Sequence, residues 1–277
     1  MIVDIPSLRA KFEGPHHLVT ASDNQILFLR TWESSGAEPK GTAILLLHGI
    51  TAYSGPYDMI ANPLANLGFT VYGLDLRGHG LSDGNRGDSP GMERYVKDLC
   101  ETIDFVKQYH AKIVLLGHSL GVLSSMIAIN NYLENIDGAA LLSGARKTRP
   151  SAYPPMSATQ KLKIFFSSLI RPSKPVIRYY REGMVGLDDP LFNFNYTFRF
   201  MKIVGLRDFE FPDLENMPIF VSVGDNDELF SVDSCRDLFE EIPSTNKTFH
   251  VAVGGKHAEF PPGSMDQLGI WFDDQFD

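Results

Sequence analysis

The 277-residue chain carries 25 Lys+Arg against 34 Asp+Glu, a net charge of −9, with 43% hydrophobic and 21% charged residues. That size and balance fit one large α/β domain, or a core with an insertion, and exclude disordered, collagen-like and disulfide-scaffold classes. The acidic surplus speaks against nucleic acid as a general partner, and the two cysteines, Cys100 and Cys235, have neither the number nor the spacing of a disulfide framework or thiolate metal site.

The N-terminus, Met1-Ile-Val-Asp-Ile-Pro6, sets an acid and a proline where a secretory leader would have a basic stretch before an apolar run. No later run reaches the roughly 18 apolar residues of a membrane span, so a cytoplasmic protein is expected. Beginning at Thr42, the run Thr-Ala-Ile-Leu-Leu-Leu-His48-Gly49 is short, continuously apolar and closed by glycine. Such a run suits a strand buried on both faces of a parallel sheet. Four more follow, at Phe69–Asp75, Lys112–Gly117, Gly138–Ser143 and Pro218–Gly224. Helical periodicity falls between them near Tyr57–Asn66, Met92–Tyr109, Leu120–Leu133 and Val232–Ile242. This alternation predicts a doubly wound, mostly parallel α/β sheet, whose ligands bind outside the carboxyl ends of the strands.

The third of these strands runs into Gly117-His118-Ser119-Leu120-Gly121. A bare G-x-S-x-G is a weak signal, but here Ser119 follows an apolar strand and opens an apolar-periodic helix, the setting of a nucleophile elbow. The turn exposes the serine Oγ, and flanking glycines remove side chains that would collide there. The amide after the nucleophile, Leu120 N–H, is one expected oxyanion donor, and the loop after His48-Gly49 supplies the other, Ile50 N–H. His48, His79 and His118 each adjoin a glycine and lack ligand spacing, so no metal site is expected.

The alternation breaks between about Gly144 and Pro212, where Pro150, Pro154, Pro155, Pro172, Pro175 and Pro190 punctuate short helical stretches such as Ser157–Ile170. An inserted cap over residues 144–212 is therefore expected, with residues 1–143 and 213–277 forming the core. Residues 144–207 hold 12 Lys+Arg against 3 Asp+Glu, a basic segment inside an acidic protein. Its aromatics, Phe165, Phe166, Tyr179, Tyr180, Phe192, Phe194, Tyr196, Phe198 and Phe200, either form the cap's own core or line an acyl pocket. The alternation from Phe192 to Phe200 fits one face of a strand or extended segment equally well.

A serine hydroxyl needs a base, and the base an orienting acid. In the elbow fold the order is Ser, then Asp or Glu, then His, which leaves His250 or His257. His250 lies in the alternating run Lys247–Val253, whereas His257 follows it in a Gly-rich loop from which a side chain can project into a site. His257 is preferred. After Pro218–Val223, Gly224-Asp225-Asn226-Asp227-Glu228 offers three carboxylates. Asp227 is the choice, because the chain has room to turn after Gly224, and Asp225, the alternative, suits local backbone hydrogen bonding.

Taken together, Leu47-His48-Gly49, the stretch from Tyr72 through Asp75 to Gly84, Gly117–Gly121, Gly224–Asp227 and His257 resemble the α/β-hydrolase superfamily, in particular its monoacylglycerol lipase and lysophospholipase-like branch. The resemblance implies the α/β-hydrolase fold with a cap over the acyl site, Ser119 as nucleophile, His257 as base, Asp227 as acid, and the Ile50 and Leu120 amides as oxyanion hole. It implies a serine carboxylic-ester hydrolase acting on monoacylglycerols, lysophospholipids or short- to medium-chain esters, with no cofactor because water deacylates the enzyme. A basic cap either simply solvates exposed cap helices or favours an anionic headgroup or transient contact with an anionic membrane surface. Rival readings are a peptidase or C–C bond hydrolase on the same fold, and a noncatalytic ligand receptor.

Overall fold

The structure, a computed structural model, describes residues 3–150, 156–181, 184–206 and 210–276. Pro154 and Pro155 lie outside the described residues. In chain order the elements are α1 (Ile5–Ala10), β1 (His16–Thr20), β2 (Ile26–Trp32), β3 (Thr42–Leu47), α2 (Asp58–Asn66), β4 (Thr70–Leu74), α3 (Met92–Lys107), β5 (Lys112–His118), α4 (Leu120–Tyr132) and β6 (Gly138–Leu142). They continue with α5 (Ala158–Ile170), β7 (Ile177–Arg178), β8 (Asn195–Tyr196), α6 (Phe198–Val204), β9 (Ile219–Gly224), α7 (Val232–Glu241), β10 (Lys247–Ala252) and α8 (Asp266–Gln275).

One sheet of eight strands runs in the order β1-β2-β4-β3-β5-β6-β9-β10. The six from β4 to β10 are parallel, and β2 joins them antiparallel, with β1 as its hairpin partner. Strand β3 is buried along its whole length. Ala43, Leu45 and Leu47 face a core shared with Leu99 and Ile103 of α3, Met126 and Ile129 of α4 and Leu238 of α7. Ile44 and Leu46 face the other layer, with Ile60 and Leu64 of α2 and Trp271 and Phe272 of α8. This is the α/β-hydrolase fold: burial on both faces is why these strands read as unbroken apolar runs, and each fully buried Leu or Ile contributes about 1.5–3 kcal/mol of transfer free energy. Among the described residues no helix is long and apolar enough to cross a membrane.

Because the strands are parallel, the loops after β3, β5, β9 and β10 leave the sheet on one rim. Register brings them together: Leu47 pairs with Gly117 across β3 and β5, His118 with Leu142 across β5 and β6, and Gly224 with Ala252 across β9 and β10.

Between β6 and β9 the chain forms α5, the two-stranded β7–β8 ladder and α6. Helix α5 starts on a capping box in which Ser157 Oγ accepts from Gln160 N–H and the Gln160 side chain accepts from Ser157 N–H, a signal that ends the preceding irregular stretch. The extended face expected from Phe192 to Phe200 is not one element. Only Asn195 and Tyr196 are strand, and Thr197 then caps α6 by accepting from Phe200 N–H at 3.2 Å, which puts Phe198 and Phe200 on a helix. The aromatics divide accordingly: Tyr196 and Phe200 are fully buried, whereas Phe165 and Phe166 are half-exposed on α5.

Candidate active site

The turn from β5 into α4 makes Ser119 the N-cap of a helix at φ 56°, ψ −110°, a conformation that non-glycine residues adopt only when their surroundings force it. The surroundings are glycines in close contact. A Cβ on Gly121 would lie 1.9 Å from the Leu47 carbonyl oxygen, and one on Gly117 would lie 2.2 Å from the Gly121 carbonyl oxygen. No side chain fits in either place, so the strand, the turn and the helix pack at backbone distance with the Ser119 side chain directed off the rim.

His257, in the loop after β10, places Nε2 at 2.9 Å from Ser119 Oγ. Its Nδ1–H donates to Asp227 Oδ2 at 3.0 Å. Asp227, in the loop after β9, is buried and turns its other oxygen, Oδ1, to the Leu229 and Phe230 amides at 2.8 and 2.9 Å. Burial works to raise its carboxyl, but the hydrogen bond and charge of His257, with the two amides, outweigh it and hold Asp227 below the ordinary carboxylate value. The neighbouring Asp225 instead accepts from Gly254 N–H at 2.8 Å, the local backbone role that suits an acid in a turn. His250 lies on β10 with Nδ1 at 3.0 Å from Ser222 Oγ, away from Ser119.

Ile50 and Leu120 border the same cavity as Ser119, and among the described residues neither amide has a hydrogen-bond acceptor within the protein. Gly49 touches the elbow, since a Cβ there would stand 3.4 Å from Ser119 Cβ. The loop carrying Ile50 is tied to the segment between β6 and β9: Tyr196 Oη shares its one proton between the Ile50 carbonyl, at 2.6 Å, and the Asn193 carbonyl, and Asn193 N–H donates to the Thr51 carbonyl at 2.9 Å.

The cavity over Ser119 measures about 780 Å³ and is walled by Leu123, Met126, Ile164, Ile177, Met201 and Val204, with Arg146, Lys163 and Arg178 along its border. A smaller one of about 110 Å³ opens on the other side of Ser119, against Tyr57, Phe192, Glu228 and Phe260.

Matches to known proteins bear on the chemistry. The family model described as "Serine aminopeptidase, S33" matches residues 37–260. The chain belongs to that family. Its α/β-hydrolase relatives include the monoglyceride lipase of Rattus norvegicus, 27% identical over 259 residues that cover 87% of this chain and 82% of the relative. The crystal structure of the monoacylglycerol lipase of Paleococcus ferrophilus superposes with a TM-score of 0.72 at 23% identity, covering 90% of this chain and 99% of that one. A soluble variant of the Saccharomyces cerevisiae monoglyceride lipase, in complex with a substrate analog, gives 0.74 at 16% identity, over 96% of each chain. These relatives set the chain on the monoacylglycerol lipase-like branch.

Other polar residues hold the loops around the site. His48 donates from Nδ1 to the Gly49 carbonyl at 2.8 Å and accepts from Leu76 N–H at Nε2 at 3.0 Å. Burial lowers its imidazole to about 4, so it is neutral and structural. Asp75 is buried and accepts from Ser54 N–H and Leu81 N–H at 2.6 and 2.7 Å, shaping the loop from Asp75 to Gly84. Glu228, beside the acid, accepts from the backbone N–H of His257 at 2.8 Å. Tyr57, which reading of the sequence placed only at the start of a helix, is hydrogen-bonded to His118; no sequence signal marks that pair.

Proposed function

We propose that this protein is a serine carboxylic-ester hydrolase that cleaves monoacylglycerols, lysophospholipids or related short- to medium-chain esters through an acyl-enzyme. The carboxylic-ester hydrolase class follows from the relatives; the substrate and the residue roles are the further step. The observation that carries it is the unbroken hydrogen-bond chain Ser119–His257–Asp227 at the floor of a mostly apolar cavity.

In this reading His257 Nε2 takes the Ser119 proton as Oγ adds to the ester carbonyl. The oxyanion meets the Ile50 and Leu120 amides, each such donor lowering the barrier by about 3–4 kcal/mol. His257 then gives its proton to the departing alkoxide. The acyl group remains on Ser119 until a water, deprotonated by His257, adds to it and restores the free serine and a carboxylic acid. Asp227 keeps the proton of neutral His257 on Nδ1, so that Nε2 faces Ser119 as a lone pair.

The large cavity suits the acyl chain and the small one the alcohol. Residues 144–212 act as a cap in this reading. Along α5, Leu162, Phe165, Phe166, Leu169 and Ile170 are each more than half exposed, and their spacing sets them on one face. Lys161, Lys163, Arg171 and Lys174, all exposed, surround that face. An apolar stripe ringed by cations favours transient contact with an anionic lipid surface, where such substrates reside.

The family's description names an aminopeptidase, and a substrate with a free α-amine needs an uncommitted carboxylate. Among the described residues lining the two cavities, the acids are Glu228 and Glu259. Glu228 accepts from His257 N–H and pairs with Arg181 at 3.7 Å, and Glu259 pairs with Lys256 at 2.8 Å, so each carboxylate is already matched to a cation of this chain, which favours the ester. The test is a hydrolysis panel of monoacylglycerols, lysophospholipids, alkyl esters and amino-acid anilides with wild type and Ser119→Ala. Ester turnover abolished by the substitution is expected; a folded wild type that neither turns over an ester nor is labelled by a fluorophosphonate would overturn the reading. A preference for lysophospholipid that fades with added salt would assign the headgroup to the basic cap.

A further inference from the structure

Three residues outside the Ser-His-Asp set, Gly49, Tyr57 and His118, form a second hydrogen-bond chain that ends on the His257 backbone and has a direction. The Gly49 amide donates to Tyr57 Oη at 2.8 Å. Tyr57 Oη lies 2.8 Å from His118 Nδ1, and His118 Nε2 lies 2.8 Å from the His257 carbonyl oxygen. A carbonyl can only accept, so His118 carries its proton on Nε2. With a neutral ring Nδ1 is then a lone pair, and Tyr57 must donate to it while accepting from Gly49. Burial, with the charge of His257 adding, lowers the His118 imidazole to about 3, which keeps the ring neutral throughout the working range. The whole chain is buried: Tyr57 and His118 are under a tenth exposed.

This chain joins three loops that have no covalent link near the site. Gly49 precedes Ile50 on the strand edge after β3, His118 sits beside Ser119 in the elbow, and His257 belongs to the loop after β10. His257 is thus held by its backbone on both sides, its N–H by Glu228 and its carbonyl by His118. Only its side chain is left to engage Ser119 and Asp227. We propose that Tyr57 and His118 are positioning residues that set the distance between the nucleophile elbow, the oxyanion loop and the base. The inference rests on the proposed ester hydrolysis, in which misplacing reacting groups by about 1 Å costs on the order of 100-fold in rate.

The test compares Tyr57→Phe, His118→Asn and His118→Gln on p-nitrophenyl butyrate. Phe removes the hydroxyl that bridges Gly49 and His118. An Asn amide reaches the Nδ1 position but not the His257 carbonyl, whereas the longer Gln amide reaches the Nε2 position and restores that donor. Tyr57→Phe and His118→Asn should lower kcat about 10- to 100-fold with KM within about twofold, and His118→Gln should recover most of the loss seen in His118→Asn. Wild-type kcat in Tyr57→Phe and His118→Asn, a change confined to KM, or equal losses in Asn and Gln would overturn the proposal.

Should a variant fail to fold, the wild type still decides. Heteronuclear NMR of the ring nitrogens must find His118 protonated at Nε2 and bare at Nδ1, and a proton on Nδ1 refutes the chain. A folded wild type without turnover or fluorophosphonate labelling would instead remove the ester-hydrolase reading and leave the tautomer result standing.

Discussion

Replacing Asp227 by Asn tests the orienting role most sharply, because the local hydrogen bonds dictate how the new amide must sit. In the native site Oδ1 accepts two backbone amides, Leu229 N–H at 2.8 Å and Phe230 N–H at 2.9 Å, while Oδ2 accepts from His257 Nδ1 at 3.0 Å. An Asn has one oxygen, and the two fixed N–H donors claim it. Its NH2 is then forced toward His257 Nδ1, which can meet it only as a lone pair. The His257 proton moves to Nε2, the atom 2.9 Å from Ser119 Oγ, and the base is lost with the geometry unchanged. A wrong tautomer of this kind lowers kcat by about 10⁴-fold, equivalent to about 5.4 kcal/mol of barrier. Stopped or initial-rate hydrolysis of p-nitrophenyl butyrate measures it, with circular dichroism to verify folding. Asp225→Asn is the control: its single acceptor contact to Gly254 N–H survives in the amide, so the rate should stay within about threefold, well inside the reach of a surface change. A loss under tenfold in Asp227→Asn, or comparable losses in both variants, would refute the assignment.

Three further outcomes follow from the same geometry. Ser119 sits at φ 56°, so Ser119→Gly should melt higher than Ser119→Ala, by about 2 °C if relief of strain outweighs glycine's chain entropy by roughly 1 kcal/mol; calorimetry giving the reverse order would show that the elbow is unstrained. His118 stays neutral down to about 3 in the folded chain, against 6.5 for the unfolded one. The unfolded state therefore binds more protons between those values, and stability falls as pH drops through that window. His118→Gln should make the acid loss shallower in denaturant titrations, and an unchanged slope would contradict the buried neutral ring. On α5, Phe166→Asp with Ile170→Asp should weaken sedimentation with phosphatidylserine vesicles by about tenfold or more, given the apolar area withdrawn, and leave turnover of a soluble ester unchanged; equal vesicle binding would dismiss the lipid-contact reading.

The parallel strands were legible because a strand buried on both faces needs apolar residues throughout, as Thr42–Leu47 shows. The β1–β2 hairpin lacked that signature: β1 is an edge strand in which only Val19 is buried. Helix α8 was unmarked too, its Trp271 and Phe272 set among acids in a short run. The alternation at Phe192–Phe200 misled because a strand period fits the residues on either side of Thr197, and one side-chain oxygen converts the second half into a helix. Within the site, chain order and the loop setting singled out Ser119 and His257, while the choice of Asp227 over Asp225 depended on which carboxylate meets which backbone, a matter of ångströms. Tyr57 and His118 were invisible as partners. They are joined only because β3 and β5 lie side by side in the sheet, and a tyrosine 61 positions from a histidine carries no pattern.

The two bonds from Tyr196 and Asn193 to Ile50 and Thr51 have a bearing on how such enzymes diversify. In the proposed reading the sheet's rim supplies the chemistry and the segment between β6 and β9 the substrate choice, a modularity that invites exchange of the whole segment between homologues. Yet the buried Tyr196 hydroxyl reaches across that boundary to the carbonyl of Ile50. A chimera that swaps the segment without a hydroxyl at that point would inherit a new pocket and an untethered oxyanion loop. The seam along which this fold can be recombined therefore runs outside Tyr196 and Asn193, and both residues travel with the catalytic half.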